Sequence, residues 1–212
     1  SDVEVDTVAD ATNLSTLSIT ASGLNSQVEL GIVGNEASTT DAILSTLSIA
    51  ASNAADIDFA GTTDGELGDI NTVENMTSAK ISATGAGSTV TAGEISADGL
   101  EISAVELEAS AGGVIDMETV ADALTLNYSF DSLTLQATGV NSSLAIADLT
   151  QDAGSLAGTA EATLTIEADD YATIALAEAT LGAVDLDTLH IGIGNGASIT
   201  GDEADISATG DI

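Results

Sequence analysis

The side chains in this sequence that could do chemistry are mainly carboxylates. Three short groups place acidic residues two or three positions apart: Asp56 with Asp58, Asp185 with Asp187, and Asp202 with Asp205. Carboxylate oxygens are the ligands that Ca²⁺ prefers, and alternate residues of a strand share one face. These six residues are therefore candidate calcium ligands. The alternative at each pair is a solvated acidic face, because calcium requires six to eight oxygens and no EF-hand spacing is present.

Other catalytic side chains are scarce. The chain has no Cys and one histidine, His190, which alternation places on the outward side of its strand. Segment 192–196 reads GIGNG but lacks the lysine and the following helix of a phosphate loop, which indicates a turn. Paired carboxylates can hydrolyse glycosides, yet the basic and aromatic residues that would hold a sugar are nearly absent. We therefore predict that the chain is not an enzyme.

The charge balance limits the partners. The sequence has 35 acidic residues against one basic residue, Lys80, giving a formal charge of −34. A nucleic acid or an anionic membrane surface attracts cationic side chains, so neither is expected as a partner. No apolar run approaches the roughly 20 residues that span a bilayer, so no membrane insertion is expected. Divalent cations and further copies of the chain remain as expected partners.

One phrase, L-x-I-x-A-x-G/N, recurs along the chain. Alternation of apolar with polar or small residues is typical of a strand with one buried face, so its first, third and fifth positions should point inward. The clearest copies are LSITASG (17–23) and LSIAASN (47–53). Weaker copies are AKISATG (79–85), LTLQATG (133–139), LTIEADD (164–170), LHIGIGN (189–195), ADISATG (204–210) and the marginal LEISAVE (100–106).

The repeat predicts an all-β fold, a parallel β-helix or β-solenoid with coils of about 20 to 33 residues. Residues 1–212 would form a single acidic β-solenoid segment of a longer chain or polymer. Gly or Asn where each strand turns, as at Gly23 and Asn25, would supply the positive φ of a sharp corner. An antiparallel β-sandwich is the alternative. The aromatic residues are expected to fill the core or plug its ends: Phe59, Tyr128, Phe130 and Tyr171.

The phrases LSTLSITASG with QVEL, and TVADALTL with LTLQATG, resemble the repetitive β-helical regions of bacterial and archaeal surface-layer proteins and type I-secreted adhesins. The resemblance implies an extracellular, cell-surface structural protein that builds a surface layer, fibre or adhesin stalk and self-associates into a polymer or lattice. It also implies glycine-aspartate calcium repeats of the form G-G-x-G-x-D, and none is present.

A ligand-binding or ice-binding β-solenoid is the second hypothesis. Four threonines that share no single register count against it: Thr20, Thr84, Thr138 and Thr165. A carbohydrate-active β-helix enzyme is the third.

Overall fold

A computed structural model describes the β-structured part of the chain, residues 2–8, 15–33, 45–58, 76–92, 95–96, 102–117, 124–127, 131–152, 162–184 and 186–208. These ranges contain seventeen strands and no helix. The strands are β1 (Asp2–Val8), β2 (Thr16–Ser22), β3 (Gln27–Val33), β4 (Thr46–Ser52), β5 (Asp56–Asp58), β6 (Met76–Thr84), β7 (Thr89–Thr91), β8 (Ile95–Ser96), β9 (Ile102–Ser110), β10 (Val114–Met117), β11 (Leu124–Asn127), β12 (Ser132–Thr138), β13 (Ser143–Asp152), β14 (Ala162–Asp169), β15 (Thr173–Val184), β16 (Leu186–Ile193) and β17 (Ser198–Ala208).

The strands form two parallel sheets. One sheet has seven strands in the order β16-β14-β12-β9-β6-β4-β2, and we call it the phrase sheet because most copies of the repeated phrase lie in it. The second sheet has ten strands and contains β1, β3, β5, β7, β8, β10, β11, β13, β15 and β17. The chain passes from a phrase-sheet strand to the second sheet and back, and each passage stacks on the previous one. The predicted β-solenoid is confirmed, and the antiparallel β-sandwich is wrong.

The core consists of columns of aliphatic side chains from successive coils. In β4 the first, third and fifth phrase positions, Leu47, Ile49 and Ala51, are buried, as the alternation predicts. The register continues the first column through Ala79, Val105, Leu133 and Leu164, all of them buried. Because parallel strands lie about 4.8 Å apart, each side chain rests directly on its equivalent in the next coil.

Two kinds of corner alternate along the edge that joins the sheets. Long corners at 23–26, 85–88 and 139–142 have positive φ at their first and third residues. Short corners at 53–55, 111–113 and 170–172 have positive φ at their first two. In the short corner after β9, the Gly113 amide donates to the Ser110 carbonyl, which closes a type I′ turn. The prediction of positive φ at Gly23 (φ 107) and Asn25 (φ 58) is confirmed.

Two copies of the phrase were assigned wrongly from the sequence. LEISAVE (100–106) is out of frame: Val105 occupies the first inward position, paired with Ala79 and Leu133, so the aligned phrase begins at Val105. ADISATG (204–210) begins in β17 of the second sheet, where Ala204 pairs with Ala179. Alternation marks a strand with one buried face but does not say which side of the coil the strand forms, so both copies looked equivalent to the others.

The interpretation of the aromatic residues is wrong at Tyr171. This side chain is 65% exposed, because Tyr171 is the second residue of a short corner and has a φ of 64°. That conformation directs it outward across the next corner, where a side chain at Gly196 would strike the tyrosine ring. Phe59, Tyr128 and Phe130 lie outside the described residues.

Candidate functional site

Asp56 and Asp58 flank buried Ile57 on β5, so both carboxylates project from the same outer face, as predicted. Partial burial, with a smaller contribution from Asp56, raises the pKa of Asp58 above its ordinary value of 3.8. Glu29, on the neighbouring strand β3 of the same sheet, pairs with Asp58. Such a surface holds negative charges close together, and a bound cation would relieve their repulsion.

The structure gives less information about the other predicted calcium ligands. Asp185 lies outside the described residues. Asp187 lies in β16 at a register shift, since its neighbours Leu186 and Thr188 pair with the consecutive residues Ala162 and Thr163. Asp202 and Asp205 lie in β17. Across the residues that the structure describes, no group of three or more His, Cys, Asp and Glu side chains is arranged to hold a metal ion. Calcium binding therefore stays a prediction.

The outer face of the phrase sheet carries a column of hydroxyl groups that the sequence reading missed. Ser22, Ser52, Thr84, Ser110 and Thr138 occupy one register position on five successive strands. The hydroxyls of Thr84 and Ser110 lie 3.2 Å apart and share a hydrogen bond. Thr20 and Thr165 lie in other columns, so the four threonines indeed share no single register. The column contains serines as well as threonines, and its alignment becomes visible only from the pairing of the strands.

A cluster of charges interrupts this face. The Lys80 ammonium on β6 lies 2.7 Å from Glu106 Oε1 and 3.4 Å from Glu108 Oε2, both on β9. The hydrogen bond to Glu106 raises the pKa of Lys80 above its ordinary value, against an opposing effect of burial. The one cationic side chain of the sequence thus joins two neighbouring coils at a point where two carboxylates lie side by side.

Two serine hydroxyls form hydrogen bonds that connect the corners of adjacent coils. Ser88 and Ser142 are the buried polar residues of the described part, and each ends a long corner. Each hydroxyl donates to a carbonyl of its own coil, Thr84 or Thr138, and accepts an amide hydrogen from the short corner of the preceding coil, at Ala54 or Gly112. A short corner and the long corner after it therefore form one bonded unit.

The coil formed by β16 and β17 has apolar side chains that are exposed to solvent. Leu189, Ile191 and Ile193 are 38%, 51% and 60% exposed, although they continue the columns of buried Leu164, Ile166 and Ala168. Interior coils bury these positions against the next coil. His190 is exposed on the outward side of β16, as predicted.

Comparisons of the chain with models of known families, with curated proteins and with solved structures gave no match. Among the described residues, no helix is long and apolar enough to cross a membrane.

Proposed function

We propose that this chain is an extracellular structural protein, a rod-like segment of a surface layer, fibre or adhesin stalk that associates with further copies of itself. The observation that supports the proposal is the unbroken parallel ladder of seven phrase-sheet strands. In such a stack the inter-strand hydrogen bonds run along the long axis, and each coil contacts only its neighbours, which gives an extended and stiff body.

The surface chemistry supports the same role. A formal charge of −34 keeps a long-lived exposed rod soluble and opposes non-specific contacts. The same charge makes the rod depend on its ionic surroundings, because unscreened carboxylates on adjacent coils repel each other at about 1 kcal/mol per pair even in water. We propose that divalent cations, calcium first, relieve this repulsion, with Asp56 and Asp58 among the sites.

Immunogold electron microscopy of the native cells tests the proposed role. Gold particles on a surface lattice, on fibres or along stalks are the expected result. Labelling confined to the cell interior would contradict the proposal. A second strain that expresses the chain with an introduced epitope in a corner, at residue 140, provides an independent label, because Val140 is exposed.

Sedimentation and thermal unfolding with Ca²⁺, Mg²⁺ or Na⁺ at matched ionic strength test the cation part. We expect calcium to raise the unfolding temperature more than sodium does, since a ligand that binds only the folded state stabilises it. The double variant Asp56→Asn/Asp58→Asn should lose part of that increase. A wild-type response that is identical in all three salts would remove the calcium proposal and leave the structural role standing.

A second candidate function, a ligand-binding or ice-binding solenoid, is favoured by the hydroxyl column on the phrase sheet. Its groups repeat at about 4.8 Å on a regular surface. The charged cluster of Lys80, Glu106 and Glu108 interrupts that surface. An ice-recrystallisation assay compares Thr138→Tyr on this face with Thr91→Tyr on the second sheet. Inhibition by the wild type that only Thr138→Tyr abolishes would favour this function, and no inhibition by the wild type would eliminate ice binding.

A further inference from the structure

Asparagine recurs in the corners of the solenoid, and one of these asparagines is followed by glycine. Asn25, Asn53 and Asn141 precede serine, alanine and serine, whereas Asn195 precedes Gly196 at the end of the GIGNG segment. Asparagine is chemically labile because its side chain can react with the backbone nitrogen of the next residue. A glycine in that next position has no side chain to obstruct the reaction. The corner at 194–197 therefore carries the pair in which this reaction meets the least steric hindrance.

The structure explains why glycine occupies position 196. The corner has the length of a long corner, and the Ala197 amide closes it by donating to the Gly194 carbonyl at 3.1 Å. Gly196 has a φ of 67°, and an added side chain would lie 2.6 Å from the ring of Tyr171. Both the backbone conformation and the neighbouring ring therefore require glycine next to Asn195.

The backbone nitrogen that would react is engaged at the other three asparagines but not at Asn195. The Ser26 and Ser142 amides each donate to the first carbonyl of their own corner at 3.0 Å, and the Ala54 amide donates to a serine hydroxyl at 3.0 Å. The Gly196 amide donates no hydrogen bond to any residue that the structure describes. Asn195 and Gly196 are both exposed. The reacting atoms are therefore accessible to solvent and not held apart by another contact.

The free amide belongs to the third position of a long corner and not to the lack of a following coil. Gly87 and Asn141 occupy the same position in corners after β6 and β12, and both of those strands have a paired strand on each side. Within the described ranges, the amides of Gly87 and Asn141 also donate no hydrogen bond, and both residues are exposed. This amide is thus not used to join coils. A further coil stacked on β16 and β17 would leave the Gly196 nitrogen accessible.

We propose that Asn195 is a site of spontaneous deamidation. The Gly196 nitrogen loses its proton and forms a bond to Cγ of Asn195, the bond from Cγ to the side-chain nitrogen breaks, and ammonia leaves with that proton. Solvent water then opens the resulting five-membered ring at either of its two bonds between nitrogen and a carbonyl carbon. The product carries a carboxylate on a normal or a β-linked backbone, and nothing is oxidised or reduced. This inference does not depend on the structural role proposed above.

The reaction places a new negative charge beside an existing one. The side-chain amide of Asn195 donates to Asp170 Oδ1 at 3.3 Å, and a carboxylate in its place would repel Asp170. Asp169 adds another charge at this corner, since its Oδ1 accepts the Asp170 amide at 2.8 Å. Deamidated molecules should therefore be less stable than fresh ones in dilute buffer, and added salt should reduce the difference.

Peptide mapping by mass spectrometry, after incubation of the folded 212-residue chain in mildly alkaline buffer, tests the proposal. We expect Asn195 to be converted before Asn53 and Asn141. Ser26→Gly is the matched control, because it places glycine after Asn25 while the amide of residue 26 still donates to its corner carbonyl. Asn25 of this variant should react about five-fold more slowly than Asn195, the factor that one typical backbone hydrogen bond is worth. An Asn195 that stays intact, or equal rates at the two asparagines, would overturn the proposal.

Thermal unfolding of incubated samples tests the consequence. The unfolding temperature of the wild type should fall during incubation when it is measured in dilute buffer, and the fall should be smaller at about 1 M salt. Asn195→Gln keeps a side-chain amide but reacts far more slowly, since its ring would need six members, so its unfolding temperature should stay constant. Circular dichroism confirms that the variant is folded. A fall of equal size in Asn195→Gln would show that the change does not come from Asn195 and would overturn the assignment.

Discussion

The hydroxyl of Ser142 accepts a hydrogen bond of 2.9 Å from the backbone amide of Gly112, thirty residues earlier in the chain. Ser142 is buried, and its own proton goes to the carbonyl of Thr138 at 2.7 Å. One hydroxyl therefore satisfies two backbone groups on two coils. Ser88 repeats the arrangement with Ala54 and Thr84, one long corner earlier along the solenoid.

Replacing Ser142 with alanine should destabilise the solenoid by about 1 to 3 kcal/mol, because a buried backbone amide loses its acceptor. Urea unfolding followed by circular dichroism measures the loss. Ser26→Ala is the control, since Ser26 makes the matching bond to the carbonyl of Ser22 in an exposed setting, and it should cost less than about 0.5 kcal/mol. Equal losses in the two variants would contradict a special role for the buried hydroxyls.

Replacing Lys80 with glutamine should cost about 0.2 to 1 kcal/mol at neutral pH and low salt, because Glu106 and Glu108 lose a partly exposed ion pair. The folded state raises the pKa of Lys80, so this stabilisation is fully present below the ordinary value of 10.5 and is lost as the pH rises through the raised pKa. The difference in unfolding free energy between wild type and variant should therefore vanish in strong alkali. Lys80→Arg should retain the stability, and a loss as large as that of Lys80→Gln would refute the ion-pair explanation.

The raised pKa of Asp58 predicts a change in the same direction with pH, but in the acid range. Folding favours the protonated carboxyl, so this group contributes most below its ordinary value of 3.8, and the contribution is lost as the pH rises through the raised pKa. Carbon-detected NMR titration measures the pKa directly. Since burial is the larger cause and Asp56 the smaller, Asp56→Asn should lower the pKa of Asp58 only partly. A return all the way to the ordinary value would show that charge repulsion, and not burial, dominates.

Replacing Ala111 with glycine should stabilise the chain by about 1 kcal/mol. Ala111 has a φ of 51°, a region that costs an L-residue roughly 1 to 2 kcal/mol and that glycine adopts freely. Ala86→Gly is the control. Ala86 lies in the adjacent long corner without a positive φ and packs against Gly112, so its replacement should destabilise. Thermal unfolding of the two variants should shift in opposite directions, and a shared direction would contradict the strain argument.

The fold could be predicted from the sequence because the inward positions of the phrase carry Leu, Ile and Ala at regular spacing, as at Leu47, Ile49 and Ala51. The alignment of the repeated phrase at Val105 could not be predicted. Ile102 and Val105 both suit a buried face, and only the pairing of Val105 with Ala79 shows which of them occupies the inward column. The candidate site was predicted in part: Asp56 and Asp58 share a face, as alternation requires. The hydroxyl column and the contacts of Lys80 with Glu106 and Glu108 join residues 26 to 32 positions apart, and uneven loop lengths hide that register.

The alternation of corners restricts how such a rod can change length. Deleting a coil with a long corner, or duplicating a coil with a short corner, would set two short corners against each other and leave the amide equivalent to that of Gly112 without a serine. The β16–β17 coil shows the one described substitute: there the Tyr171 amide bonds to the carbonyl of Asn195, in a corner where only Gly196 has a positive φ. We expect viable insertions and deletions to come in two-coil steps, unless the new corner carries an Asn-Gly pair.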